Sequence, residues 1–240
     1  KGQVRYKTSL GKPTSVGHND INNPFFWTAE ASWGWLNNVS LYGGGMFTAD
    51  DYQAITTGIG FNLNQFGSLS FDVTGADASL QKQNSDNLRG YSYRFNYSKR
   101  FDTTGSQLTL ASYRYSDPQF LSYARFLDSE NNDSQSEKQT FSITASQYIP
   151  ALSLNLYLSL LRQTWWDEAP SNTGSLTAGY NFDLGRWKNL GVSASFSKTH
   201  YEDRKDDNQF YLSLSVPLDP DHRLSYDLRN SDNLSQTLSW

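Results

Sequence analysis

Residues 151–160 read Ala-Leu-Ser-Leu-Asn-Leu-Tyr-Leu-Ser-Leu (ALSLNLYLSL). Leu152, Leu154, Leu156, Leu158 and Leu160 recur at period two, with Ala151, Ser153, Asn155, Tyr157 and Ser159 between them. On a helix these leucines would scatter around the cylinder. On a strand they make one apolar wall, opposed by a wall of small polar groups. The decade is therefore a strand with one face in an apolar medium and the other in water.

The same rule runs outward in both directions. Tyr91, Tyr93, Phe95 and Tyr97 oppose Ser92, Arg94, Asn96 and Ser98. Leu69, Phe71 and Val73 oppose Ser68, Ser70, Asp72 and Thr74, and Phe141, Ile143 and Ala145 oppose Thr140, Ser142, Thr144 and Ser146. Leu190, Val192, Ala194 and Phe196 oppose Gly191, Ser193, Ser195 and Ser197. Phe210, Leu212, Leu214 and Val216 oppose Tyr211, Ser213 and Ser215, while Ile55, Ile59, Phe61 and Leu63 share a face with Thr57. This alternation predicts about fourteen strands, over 2–10, 25–35, 39–47, 52–63, 68–76, 89–99, 106–116, 139–147, 151–163, 174–183, 190–199, 208–216, 222–229 and 234–240. In 106–116 the alternation changes phase, which a bulge near Leu110–Ala111 would reconcile.

Most of these lengths suit a tilted membrane strand, which needs about 9–11 residues. Connections at 36–38, 64–67, 100–105, 148–150, 184–189 and 217–221 are mostly tight. Those at 11–24, 77–88, 117–138, 164–173 and 200–207 are longer and more polar, with 48–51 and 230–233 as short exceptions. Outer-membrane barrels pair short periplasmic turns with long outer loops, so both chain ends are expected on the periplasmic side. Soluble sandwich strands are shorter, about 5–6 residues. The fold class expected is all-β, an antiparallel transmembrane β-barrel, with residues 1–240 as one pore segment.

Composition agrees. Mean hydropathy is -0.65, yet aromatics reach 15 %. Spanning helices need roughly 20 apolar residues in a row, and the runs here are no longer than stretches such as Phe25–Trp27. A barrel strand is apolar only at alternate positions, so its average stays low. Trp27, Trp33, Trp35, Trp165, Trp166, Trp187, Trp240, Tyr42, Tyr52, Tyr180 and Tyr201 fall mostly near strand ends, where interfacial rings collect. A net charge of -4 argues against nucleic acid. Cysteine is absent, which fits passage through an oxidising compartment. Lys1–Leu10 lacks the apolar core of a secretory signal, so a mature, trimmed or partial chain is expected.

Catalytic chemistry finds little footing. His18, His200 and His222 are far apart, and no metalloprotease, nucleophile-elbow or phosphate-loop motif occurs. Gly43–Gly45 lies inside a strand, where it marks a kink or a close backbone approach. His200 with Glu202 and Asp203 could imitate the rim site of a barrel enzyme, but reads better as a solvated loop. Asp128, Glu130, Asp133, Asp206 and Asp207 lack the ordered spacing of a calcium loop. No cofactor, metal or catalytic residue is expected.

Four stretches in order resemble the translocation barrel of fimbrial ushers. They are Leu41–Gly44 (LYGG) with Asp51–Leu63 (DYQAITTGIGFNL), Phe66–Val73 (FGSLSFDV), Gly90–Phe101 (GYSYRFNYSKRF) and Gly105–Ser116 (GSQLTLASYRYS) followed by Phe120. The likeness is strong over 41–120 and looser beyond, through Trp165–Trp166 and Val216–Leu218. It implies a non-enzymatic pore of the Gram-negative outer membrane. Such a pore receives chaperone-bound pilus subunits, pairs them by strand addition and secretes the fibre, with a plug and flanking periplasmic domains elsewhere in the family's chain. The partners implied are pilus subunits, a periplasmic chaperone and outer-membrane lipid or lipopolysaccharide. The segment looks like the barrel after the plug, so Trp240 is expected to be a truncation point; a self-closing barrel of even strand number is the alternative.

The expected lumen lining is Ser92, Arg94, Asn96, Ser98, Ser153, Asn155, Tyr157, Ser159, Ser193, Ser195 and Ser197. The expected lipid-facing set includes Leu152, Leu154, Leu156, Leu158, Phe210, Leu212 and Leu214. Small hydroxyl and amide groups would keep the wall wet and bind nothing tightly. The competing function is a passive solute channel, for which loop 117–138 would fold inward as a constriction.

Overall fold

A computed structural model describes residues 2–12, 25–48, 51–80, 87–101, 106–129, 136–185, 187–218, 222–231 and 234–239. The expectations attached to His18, Glu130, Asp133 and Trp240 and to the side chain of Asp128 lie outside the described residues, as does the phase change at residues 108–111.

The fourteen strands are β1 (Val4–Gly11), β2 (Phe26–Gly34), β3 (Val39–Thr48), β4 (Tyr52–Asn62), β5 (Ser68–Ser79), β6 (Asn87–Phe101), β7 (Ser106–Ser116), β8 (Glu137–Ile149), β9 (Leu154–Trp165), β10 (Ser171–Leu184), β11 (Trp187–Tyr201), β12 (Asp207–Pro217), β13 (Arg223–Asn230) and β14 (Leu234–Ser239). They form one antiparallel sheet whose strand order is the chain order, β1 to β14. Each expected strand is present. β5 and β6 run further toward their shared connection than the alternation indicated, to Ser79 and from Asn87.

Two expectations are corrected. The strand expected from residue 151 begins at Leu154. Pro150–Leu152 form a 3-10 turn and Ser153 is left-handed, at φ 50°. Pro150 presets the φ of a helical first turn, so Ala151 and Leu152 turn the chain, and Ser153 meets the neighbouring strand only by accepting the Asn181 N–H at 3.4 Å. The second correction concerns 117–138. Its described part is not only a polar loop: it carries α1 (Tyr123–Ser129) and supplies buried apolar side chains.

The chain divides into two compact units, Lys1–Tyr97 with Ser112–Phe141 and Gln163–Glu168, and Ser98–Ala111 with Ser142–Arg162 and Ala169–Trp240. Directly paired residues in an antiparallel ladder put their side chains on one face, so the printed register sorts each unit into faces. In the first unit, Arg5, Ser32, Tyr42, Gly58 and Asp72 stand in one row across β1 to β5, and Lys7, Glu30, Gly44, Thr56 and Thr74 in the next. The opposite face carries Val4, Trp33, Leu41, Ile59 and Phe71 in one row. Ile55 there is 61 % exposed.

The second unit repeats the division. Thr177, Ser195, Tyr211, Arg229 and Ser235 form one row across β10 to β14, and Gly179, Ser193, Ser213, Asp227 and Thr237 another. The opposite face holds Tyr180, Val192, Leu214, Tyr226 and Leu238, then Leu176, Phe196 and Phe210. Leu176, Phe196, Phe210 and Leu214 are all exposed. An apolar face this continuous, left uncovered, is the reverse of a soluble surface, where large apolar patches are rare. No helix among the described residues is long and apolar enough to cross a membrane.

Candidate functional site

The polar faces are the candidate working surface. In the first unit they include a buried carboxylate. Asp72 is 2 % exposed. Tyr42 Oη donates to Asp72 Oδ2 at 3.0 Å, and Arg94 Nε lies 3.2 and 3.1 Å from its two oxygens. Tyr42 on β3 reaches β5 by crossing Gly58 on β4. A Cβ at Gly58 would stand 2.5 Å from the Tyr42 ring and 2.7 Å from the Asp72 Cβ. Gly58 is therefore the gap that lets one tyrosine tie three strands. The row is extended by Asn96 Nδ2, which donates to Ser70 Oγ at 3.2 Å, and by Arg114, which pairs with Glu137. Gln163 Nε2 also donates to Glu137, at 2.9 Å.

Above this row the chain folds back over the polar face. Residues 117–129, here called the strap, begin where Asp117 N–H donates to the Tyr91 carbonyl at 2.9 Å. The Tyr91 N–H returns a bond to Asp117 Oδ2 at 3.1 Å. The strap then crosses β6 at Gly90, where a Cβ would stand 2.5 Å from Phe120 Cα and 2.6 Å from the Gln119 carbonyl carbon. Only a residue without Cβ lets two backbones approach this closely. Phe120, Leu121 and Phe126 then pack on Tyr52, Ala76, Ala78 and Leu80 in the buried cluster of this unit. Tyr52 Oη donates to the Leu121 carbonyl at 3.1 Å. Trp165 and Trp166 fasten the far side: Arg125 lies over the Trp165 ring at 4.8 Å, and Trp166 Nε1 donates to the Ser116 carbonyl at 3.2 Å.

Strap and wall border an open cavity of about 660 Å³. Its walls include Arg5, Lys7, Glu30, Arg94 and Arg114, and Phe120, Ser122 and Tyr123 of the strap border it. Gly43–Gly45 also line it, and the close approach expected of that run is present: a Cβ at Gly44 would stand 2.9 Å from the Ala29 carbonyl oxygen.

The sequence-derived candidates fall as follows. Arg94 and Asn96 share the polar face of the first unit through their bonds to Asp72 and Ser70. Ser98 lies two residues further along β6. Ser92 is buried rather than on an open wall, and accepts a hydrogen bond from Ser116 at 3.1 Å. In the second unit Ser193, Ser195 and Ser197 stand in polar rows, and Phe210, Leu212 and Leu214 in apolar ones. Asn155 and Tyr157 are exposed and Ser159 is half-buried on β9. Leu154 and Leu156 are half-buried and Leu158 is exposed. A Cβ at Gly174 would lie 3.6 Å from the side chain of Leu160, which places the leucine side of β9 with the Leu176 face. Leu152 and Ser153 stand in the turn before the strand. Tyr42, expected among the interfacial aromatics, stands instead on the polar face against Asp72, and Gly58, Asp72 and Gly90 carry no site role in the sequence reading. A glycine within an otherwise periodic strand was the available signal.

His200, expected in a loop, stands at the end of β11, where it pairs with Asp206 of the following loop and not with Glu202 or Asp203. Its Nδ1 is 2.7 Å from Asp206 Oδ1, and Lys198 Nζ is 2.9 Å from Oδ2. The hydrogen bonds from Lys198 and then His200 hold the Asp206 carboxyl below its ordinary value. A depressed carboxyl adds stability above its unfolded-state pKa and loses it as pH falls through the folded-state one. The tether should therefore persist at neutral pH and release only in acid. A carboxyl-carbon NMR titration of Asp206 should give a midpoint below 3.8, the ordinary value; a midpoint at or above it would remove the tether. No cluster of three or more His, Cys, Asp or Glu side chains suited to a metal occurs among the described residues.

A meander of long strands with one wet face and one bare apolar face defines the wall of an outer-membrane pore. The outer membrane usher protein family model matches residues 1–239, and the chain belongs to that family. It is 50 % identical over 244 residues to YqiG of Escherichia coli (strain K12), provisionally named an outer membrane usher protein, covering 100 % of this chain and 29 % of that one. Against the P pilus usher (PapC) translocation pore the TM-score is 0.62 at 32 % identity, covering 96 % of this chain and 45 % of the other. Against a P pilus tip assembly intermediate of E. coli, PapC-PapD-PapK-PapG, it is 0.69 at 33 % identity, covering 98 % and 29 %. The chain thus spans less than a third of the curated relative's length, and its fold is the antiparallel β-barrel sheet of the usher pore in the outer membrane.

Proposed function

We propose that residues 1–240 form one part of the translocation wall of an usher that assembles chaperone-delivered pilus subunits and passes the fibre through its lumen. The reading rests on one observation above the others: polar rows and apolar rows continue unbroken across neighbouring strands, with the apolar side uncovered. In this reading the polar faces line the lumen and the apolar faces meet lipid. The protein performs no catalysis; free energy comes from subunit folding and strand pairing. The complex of PapC with PapD, PapK and PapG supports subunits and a chaperone as partners. Hydroxyl and amide rows such as Thr177–Ser195, whose Oγ atoms are 2.9 Å apart, satisfy one another. They offer a sliding protein a hydrated surface without apolar traps.

The strap covers part of a polar face, as an inward loop of a solute channel would, but membership of the usher family favours secretion. In the full-length protein, Ser195→Cys and Ser213→Cys should react with a membrane-impermeant maleimide, whereas Leu212→Cys should not. Labelling at Leu212 equal to that at Ser195 would remove the lipid-facing assignment. Deleting the gene should abolish surface fibres; a small steady conductance with fibres intact would instead favour the solute channel.

A further inference from the structure

On the apolar faces, the rows nearest the long loops end in charge. In the first unit, Tyr91 packs its ring on Gly75, where a Cβ would lie 3.2 Å away. Two residues further, toward the long connection, stand Arg89 and Asp77 on that same face. Arg89 Nη2 and Nε both donate to Asp77 Oδ2, at 2.6 and 3.2 Å. In the second unit, the row Leu176–Phe196–Phe210 is the last apolar one. The next holds Gly174, Lys198 and Asn208, and beyond it lie Asn172 and His200.

Each cation is oriented by one carboxylate and still has donors to give. The Arg89 side chain is 73 % exposed, and its Nη1 has no partner among the described residues. Lys198 is 52 % and His200 56 % exposed. Asp206 takes one bond from the Lys198 ammonium and one from His200 Nδ1, leaving further ammonium protons open. The cation of each pair is open to water, which screens the attraction, so the carboxylate does not hold it from a stronger anion. Two residues along a strand rise roughly 6.6 Å, which sets Arg89, beyond Tyr91, and Lys198, beyond Phe196, at headgroup level if the apolar rows touch hydrocarbon. Basic side chains there meet lipid phosphate.

We propose that Arg89, and Lys198 with His200, bind phosphate groups of outer-leaflet lipid, committing to the phosphorylated sugar head of lipid A. The proposal rests on the reading that the apolar faces meet lipid and the long loops face the cell exterior. The asymmetry of the loops assigns the outer leaflet, and the phosphates of lipid A offer the density of acceptors that unspent guanidinium and ammonium donors fit.

The test uses full-length protein in detergent, wild type and the triple variant Arg89→Gln, Lys198→Gln, His200→Gln. Thermal midpoints are measured with added bisphosphorylated lipid A, with lipid A stripped of phosphate, and with phosphatidylglycerol. Wild type should gain several degrees with bisphosphorylated lipid A and little with the other two, and the variant should lose at least half of that gain. An unchanged gain in the variant, or an equal gain from stripped lipid A, overturns the site. An equal gain from phosphatidylglycerol overturns the commitment to lipid A. Should the triple variant not fold, Arg89→Lys and Lys198→Gln singly should each lower the gain, and neither doing so overturns the site. Quenching of a Phe196→Trp reporter by acyl-brominated lipid separately checks the hydrocarbon contact: no quenching removes the underlying reading, whatever the lipid A result.

Discussion

Gly90→Ala should detach the strap from the wall. The new methyl would meet Phe120 Cα at 2.5 Å and the Gln119 carbonyl carbon at 2.6 Å, and backbone cannot swing aside as a side-chain tip can. The strap would have to lift, taking Phe120, Leu121 and Phe126 off Tyr52, Ala76 and Ala78. Uncovering three large apolar side chains costs on the order of 5 kcal/mol of local stability. The direct readout is a Cys placed at Ala78, which has 0 % exposure. In full-length protein it should resist a water-soluble maleimide while Gly90 is in place and react once Gly90→Ala is added. Protection in both would mean that the strap does not depend on Gly90. Gly179→Ala is the control: a Cβ there has nothing within 4 Å, and stability should stay level or rise slightly. Phe126→Ala, a pure packing loss, should lower strap stability by about 3–5 kcal/mol without moving β6.

The second large effect is expected at Asp72. Asp72→Ala leaves the Tyr42 hydroxyl without its acceptor and Arg94 without its counter-charge. Losing one member of a buried polar network costs roughly 2–4 kcal/mol. The lower half is expected, because the Arg94 side chain is 47 % exposed and water can replace part of the pair. Tyr42→Phe removes one hydrogen bond and should cost about 1 kcal/mol. Heat-dependent migration of the full-length barrel on gels would rank the variants, with Asp72→Ala melting first. In a double-mutant cycle, Tyr42→Phe and Asp72→Ala should be strongly non-additive. Additive losses would show that the tyrosine and the carboxylate act separately. Gly58→Val should behave like Asp72→Ala, because its side chain would occupy the path of the Tyr42 ring.

At Gly90 and Asp72 the chain's chemistry departs from a uniform hydrated wall. The second unit fits the expectation of small hydroxyl groups in rows, such as Thr173 with Thr199 and Thr177 with Ser195. The first unit does not: Ser92, expected in an open lumen, is buried, and the carboxylate of Asp72 is buried beside Tyr42 and Arg94. In the first unit the polar face carries a segment of the chain folded over it.

Alternation alone determined the strands, their order of faces and the division of Phe210, Leu212 and Leu214 from Ser193, Ser195 and Ser197. Side-chain direction along a strand follows from the pleat, residue by residue, and needs no distant partner. The residues after Pro150 escaped it because a turn and a strand can share the same leucine spacing for three residues. What only the tertiary structure decided is non-local. Phe120, Leu121 and Phe126 show no period of two, and a seven-residue helix is too short to announce itself by period. Phe120 enters the cluster where its backbone passes Gly90, thirty positions away, just as Tyr42 reaches Asp72 across Gly58. A glycine looks the same in sequence whether its missing Cβ makes room for a backbone, for a ring or for nothing, and only the packed neighbours distinguish Gly90, Gly58 and Gly179.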